Sequence, residues 1–229
     1  KTNVLGTQNI IGAALDNKVK DVISLSTDKA SSPINLYGAT KLCSDKLILT
    51  ASNFKGNKKT NFTVVRYGNV TGSRGSVIPL FKKINRMKKK LPLTHEKMTR
   101  FNISLNSAID LVKTALKNKT KNAIFVPKLK SFYIKDLAEA ISGKKNNFNI
   151  VGIRPGEKIH EELINPAEAR YTVELKNFYI ILNAMSETQI IKFCKLNKCK
   201  RVKTSFSYNS GDNKSFMDIK SLKKIAEKH

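Results

Sequence analysis

Val22-Ile23-Ser24-Leu25-Ser26-Thr27-Asp28-Lys29, then Pro33, then Leu36-Tyr37-Gly38-Ala39-Thr40-Lys41-Leu42-Cys43, is the stretch that decides how this chain folds. Its first six residues are short-spaced and mostly apolar, as expected of a strand covered on both faces. The run ends in a polar Thr-Asp-Lys step, and Pro33 interrupts regular structure behind it. Beyond the proline, Ala39, Leu42, Cys43, Leu47 and Ala51 recur at helical spacing, which predicts a helix from about Tyr37 to Asn53. A strand, a turn and a helix in that order are the repeating unit of an α/β fold with parallel strands.

The same alternation extends in both directions. Residues 1–17 read as a helix with an apolar stripe of Ile10, Ile11, Ala13, Ala14 and Leu15. Phe62 to Tyr67 reads as the next strand, followed by the glycine-rich loop GNVTGSRG (68–75) and an amphipathic helix from about Val77 to Lys89. A helix is expected from Ile103 to Asn118, a strand over 123–126, a short helix over 134–141 and a strand over 148–153. A last helix is expected after Arg154-Pro155-Gly156-Glu157-Lys158. From about Asn183 the periodicity weakens into what reads as a loose, Lys-rich tail. There is no internal repeat and no low-complexity linker.

The 229 residues carry 43 Lys and Arg against 17 Asp and Glu, a formal charge of +26. Such a balance raises nucleic acid or an anionic surface as a partner. Only seven of the basic residues are Arg, the side chain suited to bidentate phosphate and base-edge contacts. Lys, Asn and Ile share A/T-rich codons, so base composition accounts for the lysines, and neither a nucleic-acid nor a membrane partner is expected. No run approaches the roughly 18 apolar residues of a membrane-spanning helix. Cys43, Cys194 and Cys199 are odd in number and form no CxxC pair. The last two are five apart with no His neighbour, which argues against a zinc site or a disulfide framework and toward a reduced, cytoplasmic protein. His160-Glu161-Glu162 lacks a second His at position 164, so no metal site is expected.

The chemistry gathers at the opening stretch. Ligands of open α/β sheets sit at the carboxyl ends of strands, where Thr27, Asp28 and Lys29 lie. Tyr37 and Lys41 are four apart at a helix start and share one face. An ammonium beside a phenol favours the phenolate, which makes Tyr a usable base toward an alcohol.

These residues carry a resemblance. Ser26-Thr27-Asp28-Lys29-Ala30 and Pro33-Ile34-Asn35-Leu36-Tyr37-Gly38-Ala39-Thr40-Lys41 resemble the catalytic segment of extended short-chain dehydrogenases/reductases that modify nucleotide sugars, most nearly the inverting UDP-N-acetylglucosamine 4,6-dehydratases of pseudaminic acid synthesis. The likeness runs to about residue 182 through Arg66-Tyr67-Gly68-Asn69-Val70, Gly72-Ser73-Arg74-Gly75-Ser76, Met98-Thr99-Arg100-Phe101 and Gly152-Ile153-Arg154-Pro155-Gly156-Glu157-Lys158. The resemblance implies a Rossmann-type parallel sheet with a smaller substrate-binding part. It implies NADP as cofactor, with Ser26, Tyr37 and Lys41 on the cofactor side, and UDP-N-acetylglucosamine as substrate. Tyr37 would take the C4 hydroxyl proton, Lys29 the C5 proton, Asp28 would help the C6 hydroxyl leave, and Thr27 would hold the sugar near C4. Asn69, Arg100, Arg154 and Glu157, with Lys29, would bind the nucleotide-sugar. The pair Lys29 and Tyr37 is the family's inverting pattern. Asn102 departs from the family, where an aromatic residue follows Met-Thr-Arg-Phe.

Gly68, Gly72 and Gly75 are not the family's dinucleotide fingerprint, because no acidic residue for a ribose follows; the next acid is Glu96. With the fingerprint missing, the resemblance implies that the first strands of the sheet lie outside this chain, which would then be a fragment with 1–67 as the end of the dinucleotide-binding domain, 68–182 as a mixed substrate-binding region and 183–229 as the tail. Relatives assemble as homo-oligomers, and the full-length enzyme is expected to do so. The alternatives are a UDP-hexosamine 4-epimerase, a retaining 4,6-dehydratase, a basic binding module and a non-catalytic remnant.

Overall fold

The computed structural model describes residues 1–229 apart from positions 74, 184 and 229, with the backbone alone at position 54. In chain order the elements are α1 (Leu5–Asp16), β1 (Asp21–Thr27), a 3-10 turn (Asp28–Ala30), α2 (Leu36–Phe54), β2 (Asn61–Tyr67), β3 (Asn69–Val70), α3 (Val77–Arg86), β4 (Leu91–Leu93), β5 (Thr99–Ile103), α4 (Leu105–Lys117), β6 (Ala123–Pro127), β7 (Lys130–Tyr133) and α5 (Ile134–Ser142). There follow β8 (Phe148–Ile150), β9 (Glu162–Ile164), α6 (Pro166–Ala169), β10 (Thr172–Glu174), β11 (Phe178–Leu182), α7 (Glu187–Asn197), β12 (Lys200–Arg201), β13 (Tyr208–Asn209) and α8 (Ile219–Lys228). Arg74, one of the residues carrying the resemblance, lies outside the described residues.

The chain forms two units, each assembled from three separate segments. The first takes 1–67, 109–128 and 162–208; the second takes 68–108, 129–161 and 209–229. These units cut across the three consecutive segments read from the sequence.

The first unit is built on a six-stranded sheet in the order β1-β2-β6-β11-β10-β12. β1 and β2 run parallel from Asp21 opposite Asn61 to Thr27 opposite Tyr67, and β6 continues the parallel set. β11, β10 and β12 run antiparallel to their neighbours. The expected parallel sheet therefore holds for three strands. β10 and β11 are antiparallel to each other because their short connection, closed by the Leu175 amide on the Phe178 carbonyl at 2.9 Å, is a tight turn, which joins only antiparallel strands. Val65, Phe125, Val173, Ile180 and Leu182 of the sheet pack with Leu111 and Ala115 of α4 and Ile190 of α7.

The second unit holds a three-stranded sheet, β3-β5-β7, and a β4-β8 pair. Ile78 and Phe81 of α3, Leu91 and Leu93 of β4, Leu137 of α5, and Leu222 and Ala226 of α8 share its core.

Several expectations are corrected. The helix expected directly after Lys158 does not form. The chain stays extended through β9, makes one turn at α6 behind an Asn165–Glu168 capping box with Pro166 first, and enters β10 and β11. The β-branched and aromatic residues of 171–182 (YTVELKNFYIIL) prefer the pleated surface. The segment from 183 is no loose tail. α7 opens with a Ser186–Gln189 capping box and buries Ile190; α8 buries Leu222 and Ala226, four apart on one face. Lysines between those apolar positions dilute the sequence signal without disturbing the buried stripe. The helix expected from Ile103 begins at Leu105 because Ile103 pairs with Val70. The strand expected over 148–153 ends at Ile150, and the helix expected to reach Lys89 ends at Arg86, with Lys88 left-handed at φ 56°. Among the described residues no helix is long and apolar enough to cross a membrane.

Candidate functional site

The sequence-predicted residues fall into two sets, one in each unit. In the first unit Thr27 ends β1 and caps the following turn. Its hydroxyl accepts the Lys29 amide at 3.4 Å and donates to Asp28 Oδ1 at 2.9 Å. Lys29 Nζ donates to the same Oδ1 at 3.0 Å. Asp28 is wholly buried and its Oδ2 has no hydrogen-bond partner, while a third of the Lys29 side chain is open to solvent. A buried carboxylate oxygen with nothing to bond is costly, and such atoms mark places where a ligand or proton belongs.

α2 is brought onto this turn by Gly38. A Cβ there would stand 2.3 Å from the Lys29 carbonyl oxygen and 3.0 Å from Pro33, so only glycine fits. Asn35 caps the helix by accepting the Gly38 amide at 2.8 Å. This places Tyr37 on the first turn, half exposed, with Lys41 one turn on. Lys41 Nζ donates to the Leu25 carbonyl at 2.7 Å and ties α2 to β1. At the end of β2 the Tyr67 phenol is pushed up by burial and further by Tyr37, so the two phenols lie within electrostatic reach.

Ser26 points inward. It is buried and donates to Asp45 Oδ2 at 2.6 Å. Asp45 meets Arg66 at 3.3 Å, and Arg66 reaches both oxygens of Glu168 at 3.0 and 2.9 Å and the Leu163 carbonyl at 3.1 Å. Arg66 and Asp45 expose nothing. Burial pushes the Asp45 carboxyl above the usual carboxylate range; Arg66 opposes this but is shared with Glu168. Sequence reasoning missed this network. Its signal was an arginine inside an otherwise apolar strand (NFTVVRY, 61–67), since arginine is almost never fully buried unless paired.

In the second unit Asn69 is exposed on β3, opposite Asn102 on β5. The departure at Asn102 is absorbed locally: its side chain accepts from Thr71 at 2.7 Å. Arg100 is nearly buried. It donates to the carbonyls of Thr99 at 2.7 Å and Ile159 at 3.1 Å, with Glu157 at 3.7 Å and Glu161 at 3.6 Å. Arg154-Pro155-Gly156-Glu157 is a turn closed by the Glu157 amide on the Arg154 carbonyl at 3.1 Å, which leaves the Arg154 side chain exposed. Beside it His160 Nδ1 lies 2.8 Å from the Thr99 hydroxyl, itself 2.7 Å from Ser210. Among the described residues no cluster of three or more His, Cys, Asp or Glu could hold a metal ion.

A carboxylate, an amine and a phenol around one strand end, with a hydroxyl holding the carboxylate, make a set for moving protons rather than for forming a covalent intermediate.

Comparison with known proteins shows the family. The family model described as polysaccharide biosynthesis protein matches residues 1–183. The UDP-N-acetylglucosamine 4,6-dehydratase (inverting) of Campylobacter jejuni subsp. jejuni serotype O:2 is 45% identical over 230 residues, covering 98% of this chain and 69% of that protein. The UDP-glucose 4-epimerase of Rickettsia felis is 38% identical over 229 residues, covering 98% of this chain and 66% of that protein. The X-ray structure of Pen from Bacillus thuringiensis superposes with a TM-score of 0.83 at 37% identity, covering 99% of this chain and 68% of that one. On the strength of that matched span and those relatives, the chain belongs to the polysaccharide biosynthesis protein family and is an extended short-chain dehydrogenase/reductase.

Proposed function

We propose that the chain catalyses removal of water from UDP-N-acetylglucosamine across C4 to C6 with inversion at C5, giving a 4-keto-6-deoxy sugar nucleotide for pseudaminic acid or a related surface glycan, in the cytoplasm. The observation that carries the reading is Asp28: buried, with Oδ1 held by Thr27 and Lys29 and Oδ2 unpartnered. The donors at Tyr37 and Lys41 suit the hydroxyls of a nicotinamide dinucleotide, which we take to be NADP. When bound, that group would supply the hydride acceptor for C4 and the hydride donor for C6.

The residues handle the protons. Tyr37 accepts the proton of the C4 hydroxyl. The resulting 4-keto group acidifies C5–H. Lys29, entering as a neutral amine, takes the C5 proton, while protonated Asp28 gives its proton to the C6 hydroxyl, which leaves as water. The close Lys29–Asp28 ion pair is the charge state that elimination leaves behind. A proton returned across that contact resets both groups; a solvent proton delivered to C5 on the opposite face inverts it, and Tyr37 gives the C4 hydroxyl proton back to solvent. Arg154 and Glu157 are proposed for the diphosphate and ribose, Asn69 for the nucleotide-sugar, and Arg100 as the residue that fixes Glu157.

The second reading, a UDP-hexosamine 4-epimerase, is favoured by the name of the Rickettsia felis relative. Incubation with UDP-N-acetylglucosamine and NADP in deuterium oxide, read by NMR, decides between them. Deuterium at C5 and a C6 methyl group support dehydration. A C4 epimer that keeps its C6 hydroxyl supports the epimerase. Lys29→Ala abolishes C5 exchange if the base is assigned correctly.

A further inference from the structure

α7 ends with Lys198 in the left-handed region (φ 49°, ψ 42°), and the Cys199 amide donates to the Cys194 carbonyl at 3.1 Å. A hydrogen bond spanning six residues across a left-handed turn is the Schellman closure. It folds the second residue past the helix back onto the last full turn, where an apolar contact usually forms. Here both contact positions are cysteine. The five-residue spacing that discounts the pair in the sequence is the spacing this closure requires. Both thiols are half-buried against the core of the first unit. Burial, then a hydrogen bond with Cys194 and the charge beside it, push the Cys199 thiol up to about 11. Exposed Lys192, Lys195, Lys198 and Lys200 flank the pair along the chain, and such a cluster of positive charge attracts anionic thiols and disulfides.

We propose that Cys194 and Cys199 form a reversible disulfide through exchange with small anionic disulfides of the glutathione type. The sulfur of Cys194, as thiolate, attacks one sulfur of the oxidant and expels one thiolate, leaving a mixed disulfide. Cys199 then loses its proton to solvent, and its sulfur attacks that of Cys194 and expels the second thiolate. Two protein thiols lose two protons and two electrons, and one disulfide takes them up to become two thiols. Cys199, the thiol held protonated, is the slower first attacker. Because β12 starts at Lys200, the cross-link pins the last turn of α7 to the residue just before that strand.

The test is incubation of the whole chain with glutathione disulfide, followed by intact mass and peptide mapping. The wild type and Cys43→Ser are expected to lose two hydrogens, to yield a linked 194–199 peptide and to recover on reduction with dithiothreitol. Cys199→Ser is expected to retain one glutathione on Cys194, and Cys194→Ser to be modified several-fold more slowly. A wild type whose thiols stay free, that holds glutathione adducts without closing, or that links to Cys43 overturns the proposal. These readouts need no catalytic turnover, so they stand or fall apart from the dehydratase reading.

Discussion

At the scale of single residues, the candidate site is a lesson in how one carboxylate is divided. Oδ1 of Asp28 is occupied from both sides and Oδ2 is left bare. Asp28→Asn keeps the shape and can still accept from Thr27 and Lys29, but it cannot deliver a proton. The dehydration rate should fall about 10²- to 10⁴-fold with the melting temperature nearly unchanged; full activity in a kinetic assay would remove Asp28 from the acid role. Gly38 is constrained differently. Gly38→Ala sets a methyl 2.3 Å from the Lys29 carbonyl, and the turn must move. Overpacking of this kind costs about 1–3 kcal/mol, to be read in urea unfolding together with lost activity, since the displaced turn carries Asp28 and Lys29. The residues of the site were legible because polar side chains at a strand end stand out. The buried Asp45–Arg66–Glu168 network was less so, since its partners lie far apart in sequence and only the fold joins them.

At the scale of elements, the long helices and apolar strands of the first 67 residues could be read from periodicity; the ends of α1, β1, α2 and β2 lie within one residue of expectation, except the start of α1, which is four residues later. β4, β5, β7 and β9 to β13 could not, for a physical reason: two to five residues hold too little of a period to tell a strand from a loop. α7 and α8 were hidden by lysine. Their apolar positions are few, and the caps carry more of the information than the stripe does. Ser186→Ala should therefore cost α7 about 1 kcal/mol, measurable by denaturant unfolding. Ser186→Asp, which can still cap, should restore most of it.

At the scale of the whole molecule, charge and connectivity matter most. Burial lowers the His160 pKa, with Asp212 opposing and Arg100 and His95 adding to the shift. The unfolded chain therefore takes up this proton first as pH falls. The contribution is present above pH about 6.5 and is lost as pH drops toward the lower folded value. Calorimetry between pH 7.5 and 5 should show the melting temperature declining, and His160→Gln should flatten that slope. The second unit is assembled from three separate segments of the chain. Its core is closed by Leu222 and Ala226, yet its first residues are 68–108. During synthesis the core begun by Ile78, Phe81, Leu91 and Leu93 gains Leu137 of α5 first and is completed only when α8 has been made. At about 5–20 residues per second, the roughly 130 residues between Leu93 and Leu222 take on the order of 10 s to make. For that interval a nascent chain carries an uncovered apolar surface, and a chaperone that shields such surface is the expected companion of its birth.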